Sequence, residues 1–259
     1  MSPAPTPVRE ERVERLPVRV YASEADLGAA AAHDMAEILT AAIRERGEAN
    51  LILATGNSQL AFLRTLREVR EVDWARVRIF HMDEYVGIDP EHKASFPRFL
   101  REHFLDHVDG ATFHPISGDP DRTAAICAEY EAELRAHPAD AVALGWGENG
   151  HLAFNDPPFA EFGDPVWAKA VRLDDVSRRQ QVGEGHFASL DEVPTHAITL
   201  TIPALLAAKR VLCIVPESRK ADAVHACLTE PISEDRPGSI LRRVDHATLY
   251  LDRDSAARI

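Results

Sequence analysis

The sequence predicts an α/β fold: a single domain on a doubly wound, mostly parallel, Rossmann-like sheet with helices on both faces. Three observations predict it. Short apolar runs of strand length alternate with helical patterns along the whole chain. Two of those runs, residues 50–54 (NLILA) and 139–144 (ADAVAL), are almost continuously apolar, as strands covered on both faces are. Both empty into glycine-bearing polar loops, TGNS at 55–58 and GWGENGH at 145–151. Open α/β sheets place such loops at their carboxyl edge.

Taken in order, residues 1–16 (MSPAPTPVREERVERL) read as a solvated, disordered lead-in. No apolar segment follows their charges, so they are not a secretory signal. Residues 17–259 form the domain. Residues 18–22 alternate as a strand, Ser23 caps a helix over 25–46, and Gly47 stops it. The strand at 50–54 passes through Thr55, Gly56, Asn57 and Ser58 into a helix over 59–69. A third strand at 77–80 delivers His81, Met82, Asp83, Glu84 and Tyr85. The helix over 95–108 carries Phe96, Phe99 and Phe104 at core spacing, and an amphipathic helix over 123–136 feeds the strand at 139–144. Further strands follow at 168–173, 197–201, 210–215 and 247–251, with short helices at 204–208, 216–228 and 239–243.

Composition narrows the classes of function. The chain has 259 residues, 45% hydrophobic, enough to bury one large core, and no linker or repeat divides it. A formal net charge of −13 argues against general nucleic-acid binding but not against a small anionic substrate in a local pocket. No apolar run approaches the roughly 18 residues of a membrane span. Cys127, Cys213 and Cys227 are widely spaced in apolar segments, with no CxxC pair. They read as buried free thiols of a reducing, cytoplasmic protein rather than metal ligands.

Several residues look chemical rather than structural. A strand, a glycine turn with hydroxyl side chains and a helix N-terminus together make an anion site, so Thr55–Ser58 reads equally as a phosphate cradle or a plain N-cap. Asp83 and Glu84 sit side by side at a strand end. One carboxylate there could cap a helix, but two in a row suggest proton chemistry or metal binding. His151 and Asp156 follow the glycine-rich loop. Lys220, in the first turn of its helix, runs against the helix dipole and makes more sense with an anion bound nearby. The polar stretch 177–185 (SRRQQVGEG), with Arg178 and Arg179, reads as a lid or as a surface helix with a loop.

Four stretches together resemble the glucosamine-6-phosphate deaminase/isomerase family, which shares its fold with the 6-phosphogluconolactonases. They are LATGNSQL at 53–60, FHMDEYVGID at 80–89, GWGENGHLAFNDPP at 145–158, and the tail from HAITLTIPALL through SRKADAV to ATLYLD. The likeness covers roughly residues 18–252 in matching order, and AFNDPP favours the deaminase branch.

That resemblance implies opening of an amino-sugar phosphate ring, proton transfer between C2 and C1, and loss of ammonia. Asp83 matches the base and His151 the ring-opening group. Thr55, Gly56, Asn57, Ser58 and Lys220 match the phosphate site, and Arg178 and Arg179 are the nearest candidates for its lid arginine. The sequence departs from the family pattern at Asn149, where relatives carry Asp, and at Asp156, where they carry Glu; Glu148 is the nearest substitute charge. The resemblance implies no cofactor and no metal, a small sugar phosphate as the partner, and either a monomer or a homo-oligomer. Lactone hydrolysis and non-catalytic sugar-phosphate binding are the alternatives.

Overall fold

The computed structural model describes residues 3–157, 159–173, 175–183, 185 and 187–259. An eight-stranded sheet forms its centre. Its strands, in chain order, are β1 (Arg9–Val13), β2 (Leu16–Tyr21), β3 (Ala49–Leu53), β4 (Val77–His81), β6 (Thr112–His114), β7 (Ala141–Leu144), β10 (Val211–Val215) and β11 (Ala247–Asp252). Across the sheet they run β1-β2-β11-β10-β7-β3-β4-β6, parallel throughout except for the β1–β2 hairpin. The expected doubly wound α/β fold is therefore present.

Strand alternation fills a core on each face of this sheet. Ile52 of β3 and Val142 of β7 join one core, while Leu51, Leu53, Ala141 and Ala143 join the other. Three helices cover the second core: α1 (Glu24–Arg46), α2 (Leu60–Leu66) and α3 (Phe96–His103). The first core is covered by α4 (Thr123–Ala136), α6 (Ile202–Leu206) and α7 (Ala221–Thr229). α1 starts where Ser23 Oγ accepts from Asp26 N and stops at Gly47, whose φ of 84° is the left-handed C-cap. Among the described residues no helix is long and apolar enough to cross a membrane.

Three expectations need correction. Residues 1–16 are not simply a disordered lead-in: Arg9–Val13 forms β1, joined to β2 by a two-residue turn with Glu14 at φ 52°. Its charged, exposed side chains hid an edge strand, since edges use charge to block further pairing. The helix expected over 95–108 ends at His103, because Phe104 turns out of helical geometry (φ −141°) to bury its ring edge-on to Trp74. The strands expected at 168–173 and 197–201 leave the main sheet. As β8 (Ala168–Arg172) and β9 (His196–Leu200) they pair antiparallel with each other, and β9 pairs with the short β5 (Asp83–Tyr85). The segment 177–185 lies largely within α5 (Asp175–Gly183), while its Glu184 is outside the described residues, as is Pro158 of the NDPP stretch.

Candidate active site

From the adjacent strands β3 and β7 the chain moves on in opposite directions across the sheet, β3 towards β4 and β7 towards β10. That reversal opens a crevice at the carboxyl edge. The segments that follow β10, β7, β3 and β4 carry Lys220, His151, the Thr55–Ser58 turn and Asp83, the first residue of β5, respectively. Because neighbouring strands lie about 4.8 Å apart, four consecutive strands deliver these loops within roughly 15 Å of one another. All four groups line one cleft.

Asp83 is 7% exposed, with its backbone pinned opposite Thr199 in the small sheet. Burial, and secondarily the neighbouring Glu84 carboxyl, holds its carboxyl well above the usual carboxylate range. Glu84 points elsewhere. Its carboxylate accepts from Tyr85 N, Ser95 Oγ and Phe96 N, so it caps α3 and does not line the cleft. Of two adjacent carboxylates, the sheet turns one into the cleft and the other to a helix end; Glu84 as a catalytic group is thereby corrected. Burial still raises Glu84 to about 7, against the pull of those three donors.

The imidazole of His151 is held by a compact acceptor pair. Its Nδ1 lies 2.8 Å from Asn149 Oδ1 and 2.9 Å from Asp156 Oδ1, and Asn149 Nδ2 donates to that same Asp156 oxygen at 2.8 Å. Two acceptors on Nδ1 place the proton there and leave Nε2 for proton exchange. The loop is built for this ring. A Cβ added at Gly147 would stand 2.1 Å from His151 Cε1, so only glycine lets the ring lie against this backbone. Beyond the ring, Ala153 adopts φ 50° and buried Asn155 donates to Leu152 O and Leu200 O, closing the turn. Glu148 reaches towards Arg219, 3.6 Å away, so the charge beside His151 comes from Asp156.

In the turn after β3, Gly56 has φ 100° and Ser58 Oγ accepts from Gln59 Nε2 at 3.3 Å. Lys220 is 6% exposed and sits in the tight turn Ser218–Lys220. The two arginines expected in the lid do not line the cleft. Arg178 donates to Leu190 O and Val193 O, which ties α5 to the following turn, and Arg179 is exposed. Gln181 from α5, Lys93 and Arg219 line it instead. Sequence reasoning missed all three, because a lone cation or amide beside a motif looks like any surface residue.

The chain matches the family model described as glucosamine-6-phosphate isomerases/6-phosphogluconolactonase over residues 22–250. It belongs to that family. Among its relatives, the glucosamine-6-phosphate deaminase of Exiguobacterium sibiricum is 35% identical over 206 residues, 79% of each chain. That of Bacillus cytotoxicus is 31% identical over 213 residues, covering 82% of this chain and 79% of the relative. A solved monomeric glucosamine-6-phosphate deaminase superposes with a TM-score of 0.85 at 28% identity, covering 93% of this chain and 99% of that one. The 6-phosphogluconolactonase of Trypanosoma brucei superposes with a TM-score of 0.75 at 16% identity over 97% of this chain and 100% of that one, a likeness of fold. Within this family fold, the four cleft loops are those whose motifs carried the resemblance, and the chain's relatives are enzymes of carbohydrate metabolism.

Proposed function

We propose that the chain converts glucosamine 6-phosphate and water into fructose 6-phosphate and ammonia. The observation that carries this reading is the shared cleft: a buried carboxyl, an oriented imidazole, a glycine turn and a buried lysine all line it. The names of the relatives support the same substrate.

The phosphate sits on the Thr55–Ser58 turn and Lys220, where backbone N–H groups and an ammonium supply charge-assisted hydrogen bonds. His151 Nε2 relays the proton that moves between the C1 hydroxyl and the ring oxygen, and the pyranose opens to an aldehyde at C1. Asp83, ionised, takes the proton from C2 while the C2 ammonium gives one proton to O1, leaving an enolamine. Asp83 then returns its proton to C1, which leaves a protonated imine at C2. Water adds to the imine carbon, and loss of ammonia leaves the ketone. Atoms balance: one water enters and one ammonia leaves. The raised affinity of Asp83 for its proton makes it a stronger base towards a C–H bond than an ordinary carboxylate.

The test is a coupled assay for ammonia and fructose 6-phosphate from glucosamine 6-phosphate. Both products form in equal amounts, and Asp83→Asn abolishes them. Ketose phosphate without ammonia would remove the deaminase half. Hydrolysis of a sugar-phosphate lactone that survives Asp83→Asn but not His151→Asn would transfer the reading to the lactonase branch.

A further inference from the structure

We infer that Arg219 is a second cation for the substrate's phosphate group, and that it sets the selectivity for a doubly charged anion over a neutral sugar. This rests on the reaction proposed above for the orientation of the ligand. At neutral pH a phosphate monoester carries nearly two negative charges. Lys220 supplies one positive charge, and Arg219, next to it in the same tight turn, lines the same cleft beside Thr55–Ser58.

The backbone is bent to put it there. Glu217, the residue that opens the turn, has φ 81° and ψ 141°, a region that side-chain-bearing residues avoid. Such strain persists only where the surroundings over-determine it. Here Glu217 N donates to Asp252 Oδ2 at 3.2 Å, and the Glu217 carboxylate pairs with Arg219 Nε. A second carboxylate, Glu148, lies 3.6 Å from Arg219 Nη1. A guanidinium has five N–H donors in one plane, so the Glu217 carboxylate bound at Nε orients that plane. Glu148 belongs to the loop that carries His151, so this contact ties the Ser218–Lys220 turn to the imidazole loop. A mere surface ion pair would explain the Glu217 contact, but not a strained turn that presents two consecutive cations to one cleft.

The experiment is a calorimetric titration of the full-length protein with inorganic phosphate, beside steady-state kinetics on glucosamine 6-phosphate. Arg219→Gln weakens phosphate binding and raises KM by about ten-fold or more, the size of a lost charge-assisted hydrogen bond, while kcat changes far less. Arg219→Lys recovers part of the loss, which a purely structural role would not produce. Wild-type phosphate affinity in Arg219→Gln overturns the inference, as does wild-type protein that binds no phosphate at all. Should wild-type protein bind phosphate through Arg219 yet release no ammonia, the proposed reaction fails and the inference stands.

Discussion

His151 Nδ1 stands 2.9 Å from Asp156 Oδ1, with Asn149 wedged against both partners. An amide at position 149 orients the ring and hands the charge to the carboxylate at 156. The family pattern with Asp in place of Asn149 would set two carboxylates side by side, each within reach of the other. Asp156→Asn is therefore expected to lower kcat by roughly two to four orders of magnitude, the scale seen when an imidazole loses its carboxylate. Asn149→Asp lowers activity as well, because it replaces a donor to Asp156 with a like charge. Steady-state ammonia release from both variants checks this; a more active Asn149→Asp protein would refute the division of roles.

In the proposed reaction Asp83 acts only when ionised, and burial with Glu84 beside it holds its proton well above the usual carboxylate range. Activity is thus lost as pH falls through that raised value, placing the acid limb of kcat/KM above the ordinary aspartate value of about 4. Glu84→Gln removes the neighbouring charge and shifts the limb to lower pH. A limb at about pH 4, or one indifferent to Glu84, contradicts this account.

Glu84 also links stability to pH. Its folded value of about 7 lies above the ordinary glutamate value of 4.5, so the folded chain holds this proton more tightly than the unfolded one. Its contribution is complete below about pH 4.5 and disappears as pH rises through 7, a change of roughly 3 kcal/mol. Compared at each pH by urea unfolding, Glu84→Gln should gain on the wild type between pH 5 and 7. Buried His81, pushed down to about 3 by desolvation, loses stability in the acid direction but is common to both proteins and cancels. A constant difference across that range would show that Glu84 does not titrate as described.

Gly147→Ala forces the His151 ring off its seat, since the new Cβ would lie 2.1 Å from Cε1. The expected result is a loss of kcat of about ten-fold or more, because a displacement near 1 Å costs about two orders of magnitude in a positioned group. Gly163→Ala, where an added Cβ meets nothing within 4 Å, serves as the neutral control. Equal activity in the two variants would mean that the ring does not need its place against this backbone.

The fold was legible because its signals are local. Continuous apolar runs at β3 and β7, a cap at Ser23 and a stop at Gly47 each follow from a few neighbouring residues. The glycine loops and the residues Asp83, His151 and Lys220 were legible for the same reason: strand ends announce them. Direction was not. Whether Asp83 or Glu84 faces the cleft depends on β5 pairing with β9, more than a hundred residues away in the chain. Whether Arg178 or Arg219 lines the cleft depends on the carbonyls of Leu190 and Val193 and on the bend at Glu217.

The sequence by itself thus determined which elements form and which loops carry reactive side chains, since hydrophobic period and turn chemistry act over a few residues. Only the tertiary structure decided that Asp156 gives His151 its charge, that Glu84 serves a helix end, and that Arg219 joins Lys220. Those outcomes rest on the direction in which each side chain leaves its loop, and packing between segments, such as the pairing of β5 with β9, sets that direction.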